Sequence, residues 1–129
     1  MDANEHEYPL KQGVFAVVGC AMDVLNGLGH GLLEKPYERA LAIEMAQRAV
    51  PFVLQPKFDV VYKGVVVGTY VPDVIAFDSL IVEIKCIDKI TLLEVGQVLN
   101  YLRITQKSLG LILNFRRSKL EWRRVIPVE

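Results

Sequence analysis

Cysteine is scarce. Cys20 and Cys86 cannot build a disulfide framework, and neither they nor the two histidines fall at zinc-ligand spacing. A reducing compartment is expected. Long apolar runs are also missing: none approaches the roughly 20 residues that span a bilayer. The N-terminal MDANEHEYPL is acidic and polar where a secretory signal needs a basic start and an apolar stretch. The expectation is a cytoplasmic protein with no membrane partner. Net charge is absent as well, 15 Lys+Arg balancing 15 Asp+Glu, which excludes coating nucleic acid by global attraction. What remains is ordinary globular material. Its 129 residues, 52% of them hydrophobic and 23% charged, suffice for one domain that buries roughly two thirds of its unfolded surface. Residues 1–8 read as a flexible leader and 9–129 as the domain. Charge is uneven within it: Arg103, Lys107, Arg116, Arg117, Lys119, Arg123 and Arg124 face only Glu121 between residues 103 and 124. A run of this kind is as readily a solvated face as a phosphate-binding one.

Periodicity gives the elements. Pro9 suits the first turn of a helix, and Val14, Val18, Ala21 and Leu25 form its apolar stripe up to the glycine-rich NGLGHG. A second helix is expected from about Glu34 to Pro51, burying Tyr37, Leu41 and Met45. FVLQPKFDVVYKGVVVGTYV then reads as two strands turning at Lys63-Gly64, with Pro56 at an edge or bulge. LIVEIKCI is nearly continuously apolar and is expected to be a central strand, paired with the strand that ends in TYVPD. A helix over Leu92–Thr105 and the strands LGLILNF and EWRRVI complete a mixed α/β sheet flanked by helices.

Strand alternation puts Glu83 and Lys85 on one face of LIVEIK, with Val82, Ile84 and Cys86 on the other. A charged pair in a central strand costs several kcal/mol, on the order of what its attraction returns, so it is either solvent-facing or there for a reason. Asp73, ending TYVPD, adds a second carboxylate nearby. Two carboxylates a strand spacing apart repel unless a cation lies between them, and hard oxygen ligands suit Mg²⁺ or Mn²⁺. A neighbouring lysine can stabilise charge on a phosphoryl oxygen or help activate water.

Pro72-Asp73, nine residues, and Glu83-Ile84-Lys85 resemble the motif of the PD-(D/E)xK nuclease superfamily. Gly31-Leu32-Leu33-Glu34-Lys35-Pro36-Tyr37 resembles the signature of the GxxExxY family within it. ERALAIE, YKGVVVG, GQVLNYL, LGLILNF and KLEWRRV follow in the family's order, so the likeness covers roughly residues 10 to 127. The resemblance implies a nuclease-like sheet in which Asp73 and Glu83 bind a divalent ion and Lys85 acts on the attacking water. It implies that Glu34 adds a further acidic group, that Gln97 steadies the site, and that Tyr101 borders the cleft. Val71 stands where relatives commonly have a basic residue and Arg116 where they have glycine. By residue type alone, Glu34 equally suits a helix start, Gln97 and Tyr101 suit half-buried helix positions, and Tyr37 suits core packing.

Two functions follow. One is an Mg²⁺- or Mn²⁺-dependent nuclease acting on DNA, less readily RNA, and holding phosphates with Arg116, Arg117, Arg123 and Arg124. The other is a catalytically silent nuclease-fold module that binds nucleic acid or protein. Either is small for a recognition lobe, so specificity is expected from a homodimer or another protein.

Overall fold

A computed structural model describes residues 3–127, with side chains from Leu10 onward. Helices α1 (Ala3–Leu28) and α2 (Glu34–Gln47) come first. Strands β1 (Phe52–Leu54), β2 (Phe58–Tyr62), β3 (Val65–Tyr70), β4 (Val74–Ala76) and β5 (Leu80–Lys85) follow, then α3 (Leu92–Thr105), β6 (Leu109–Asn114) and β7 (Glu121–Val125). Pro9 lies inside α1 instead of opening it; proline's fixed φ is compatible with a helix, so the backbone continues through it at the loss of one amide donor. Most of the stretch read as a leader thus falls on α1, while residues 1–2 lie outside the described residues.

Five strands form one sheet in the order β1-β4-β5-β6-β7, with β5 in the middle as its apolar run requires. β5 and β6 run parallel, joined over one face by α3; the remaining ladders are antiparallel. Alternation divides the core in two. Leu80, Val82, Ile84, Leu109, Leu111 and Leu113 pack against α1 and α2, whereas Ile75, Ile81, Ile112 and Val125 pack against Val98 and Leu102 of α3.

The β2–β3 hairpin is the departure from expectation. It turns at Lys63-Gly64, both at positive φ, but forms a two-stranded sheet of its own and does not join β5. Pro56 separates β1 from β2, two strands of different sheets, because it supplies no donor to continue a ladder. The neighbour of β5 is instead the three-residue β4, which begins immediately after Asp73. A strand that short leaves too little periodicity to read.

The glycine-rich bend between α1 and α2 is pinned by Tyr37. Its hydroxyl donates to the Gly29 carbonyl at 2.7 Å and accepts from the Leu32 amide at 3.1 Å, while its ring stacks on Phe115 with centroids 4.6 Å apart. Gly31 has φ +102°, where a side chain would be strained. In Gly31-x-x-Glu34-x-x-Tyr37, the glycine and the tyrosine therefore carry architecture. Among the described residues no helix is long and apolar enough to cross a membrane.

Candidate active site at the start of β4 and the end of β5

The register fixes the site. Val74 lies opposite Val82, so the same antiparallel register places Asp73, one residue earlier, across from Glu83. Like charges directly opposite one another repel, and the β4–β5 ladder ends one pair short of them, at Val74 and Val82. The Ile84 amide, left without a strand partner there, donates to Asp73 Oδ2 at 2.8 Å. The Asp73 carbonyl accepts from the Gln55 amide at 3.1 Å, which holds the entry to β4 from the other side.

Glu83 is 6% exposed and lies on the α3 face of β5 with Ile81. Its Oε1 accepts from the Tyr70 hydroxyl, and the Tyr70 ring stacks on Tyr101 of α3 at 3.9 Å between centroids. Burial pushes the Glu83 carboxyl up to about 8, and Asp73 adds to the rise against the lowering effects of the Tyr70 hydrogen bond and Lys85. The Tyr70 and Tyr101 hydroxyls are raised too, first by burial and then by Glu83. An ion-free site therefore keeps a proton on Glu83 at neutral pH. The hydrogen bonds among the described residues engage one oxygen of each carboxylate and leave one of each for another partner. A buried carboxylate, Glu83, facing a half-buried one, Asp73, is a donor set that fits a hard divalent cation.

Lys85 follows Glu83 on the same face, at the end of β5. The Glu94 carboxyl is lowered first by the hydrogen bonds it accepts from Thr91 in the capping box that starts α3, and Lys85 adds to this as it does, weakly, at Glu83. Glu94, Gln97 and Tyr101 share one helical face by spacing, and Tyr101 shows that this face turns toward Glu83. Gln97 itself is exposed. The loop between Lys85 and α3 is fixed by Asn114, 2% exposed, which donates to the Ile87 carbonyl and to Glu121 Oε1 (both 2.9 Å) and accepts from the Ile87 amide at 3.0 Å.

The other expected residues scatter. Among the described residues, no three His, Cys, Asp or Glu side chains gather as a metal-holding group, so Glu34 does not complete a triad with Asp73 and Glu83. The reason is topological: Glu34 starts α2, on the opposite face of the sheet. Its charge acts instead on Cys86, whose thiol is pushed up to about 11, first by burial and then by Glu34, against Arg116. A thiol so raised is not a nucleophile at neutral pH. Arg117 is paired with Asp88 at 2.5 Å. Arg123 lies opposite Ile112 and Arg124 opposite Leu111, and those two residues belong to different faces, so the basic run is not one patch. Only Arg123 shares the Glu83 face, in the row Glu83, Ile112, Arg123, about 10 Å away at two strand spacings.

Tyr70 and Glu94 escaped the sequence reading. Thr91-x-x-Glu94 before an apolar helix was a readable capping signal, but Tyr70 became visible only through the hairpin geometry.

Residues 11–125 match a family model described as the PD-(D/E)XK nuclease superfamily. The chain belongs to that superfamily. No curated protein and no solved structure matches it.

Proposed function

We propose that the chain is a GxxExxY-type nuclease that hydrolyses phosphodiester bonds of DNA, with RNA the lesser substrate. The observation that carries this is the opposition of Asp73 and Glu83 across the β4–β5 register, with Lys85 following on the same face. Asp73 and Glu83 would hold Mg²⁺ or Mn²⁺ through the oxygens their hydrogen bonds leave free. Bound there, such an ion supplies Lewis-acid stabilisation of phosphoryl charge and a more acidic water.

The chain's own groups do the positioning. Tyr70 fixes one oxygen of Glu83 and the Ile84 amide fixes one of Asp73, so neither carboxylate can turn both oxygens away from the cleft. The Lys85 ammonium offers a preorganised positive charge for the attacking water or the phosphate oxygen. Gln97, on the α3 face turned toward the site, can both donate to and accept from a substrate or water. Arg123 is the basic residue we assign to phosphate on this face; Glu34 receives no ion contact in this reading.

Cleavage of plasmid DNA with and without Mg²⁺ tests the proposal. The wild type should cut only with the ion, and Asp73→Ala should not cut. Robust cleavage by Asp73→Ala would reject the assignment. The silent-module reading draws on the meeting of only two acidic groups; it requires that no Mg²⁺ or Mn²⁺ bind at millimolar levels.

A further inference from the structure

The β2–β3 hairpin exposes a run of large apolar side chains. Val61, Tyr62, Val65, Val66 and Val67 are 58%, 63%, 61%, 56% and 60% exposed. Phe58, Val60 and Tyr70 anchor the base of the ribbon beneath α3, but successive strand residues point to opposite faces, so neither face of its turn end is covered. An isolated two-stranded hairpin is marginal in water, yet this one carries valines where a solvated ribbon carries charge. β3, Val-Val-Val-Gly-Thr-Tyr, has no charged residue and no proline, and its outer edge has no strand beside it. Natural edges of this kind are blunted by lysine, proline or a covering element. The only irregularity, an extra residue at Val67 in the ladder, bends the ribbon without adding charge.

We infer that a second copy of this chain covers the hairpin, β3 meeting β3 about a two-fold axis. Such an axis brings each patch onto itself, so the patch must be self-complementary. β3 is: apolar side chains meet apolar side chains, and no formal charge meets its like. β2 is not, since Asp59 would face a second carboxylate. The net charge of zero removes long-range repulsion between copies. Nucleic acid is a poor occupant because the hairpin's only cation, Lys63, folds over the Tyr62 ring 5.4 Å from its centroid, and phosphate binding needs several. β3 itself brings Val65, Val66 and Val67, each more than half exposed, and its free backbone edge from each copy, a contact at the small end of specific interfaces.

β3 runs from this interface directly into Tyr70, which holds Glu83. A dimer so formed sets two acidic sites in a fixed two-fold relation, the arrangement for cutting both strands of a duplex. That consequence rests on the nuclease reading; the interface does not.

Sedimentation equilibrium of the full chain tests it without any activity measurement. The wild type at tens of micromolar should have about twice the 14.5 kDa chain mass. Val66→Lys and Val66→Glu should each run as monomers, with association at least about 100-fold weaker. Mixed in equal amounts, they should recover a dimer, because opposite charges then meet across the axis. Circular dichroism checks their fold, with Val65→Lys as a second edge variant should either misfold. A monomeric wild type, dimeric variants, or no recovery on mixing would each overturn the proposal. So would a monomeric wild type whose binding to duplex DNA is lost in Val66→Glu, which would give the hairpin to nucleic acid.

Discussion

The two faces of the five-stranded sheet are built on different terms. Under α1 and α2 the inward residues of β5 and β6 are uniformly aliphatic, and the one deeply buried hydroxyl, that of Tyr37, is satisfied by two backbone groups of a bend. Under α3 the same two strands begin with Ile81 and Ile112, but at Glu83 β5 turns ionisable and the packing gives way to Tyr70, Tyr101 and Asp73. One face spends its burial on stability. The other keeps a carboxylate pair whose mutual repulsion opposes folding until a proton or a cation compensates it. Fold and chemistry are thereby separated across a single layer of backbone.

Substitutions on the two faces should separate in the same way. The largest effect is expected from Asp73→Ala, which should remove cleavage while leaving the melting temperature of the ion-free protein unchanged or higher, since it relieves Glu83. Gel assay and calorimetry on one preparation check both halves. Lys85→Ala should lower turnover on the order of 100-fold, as loss of one preorganised electrostatic group does. Leu111→Ala, fully buried on the α1 face, should do the opposite: about 2–5 kcal/mol of stability lost by urea titration, with cleavage per folded molecule retained. Tyr37→Phe should cost roughly 1–2 kcal/mol by the same titration, because two backbone groups lose their partner.

Proton linkage sharpens the contrast. The folded state holds the Glu83 proton up to about pH 8, whereas the unfolded chain releases it near 4.5. The native state therefore binds more protons in that window, and the stability of the ion-free protein should fall as pH rises through it. The contribution is complete below 4.5 and lost above about 8. Saturating Mg²⁺ should flatten this part of the profile, and so should Glu83→Gln. A profile that keeps its full slope in Glu83→Gln would place the linkage elsewhere.

Much of the fold was legible because its elements are long and periodic. The valine and leucine stripes of α1 and α3, the turn at Lys63-Gly64 and the unbroken apolar run of β5 each signal one structure. β4 was not legible: three residues carry no period, and without it the partner of β5 was assigned to the hairpin strand ending in TYVPD, which in fact stops at Tyr70. Asp73 and Glu83 nevertheless face each other, because Asp73 immediately precedes β4 and the pairing register continues through it. Glu34 and the basic run were harder to place, since sequence spacing does not report which face of a sheet an element covers. Arg123 and Arg124 are neighbours in the chain and point apart for the same alternation that puts Glu83 beside Lys85.

Titrating Mn²⁺ into the wild type and into Asp73→Ala by calorimetry addresses the acidic pair itself. One site that saturates by millimolar Mn²⁺ in the wild type, releases protons near pH 7 as the ion displaces the one held by Glu83, and disappears in Asp73→Ala is the expected result. Equal binding by the two proteins, or none in the wild type, would contradict the account.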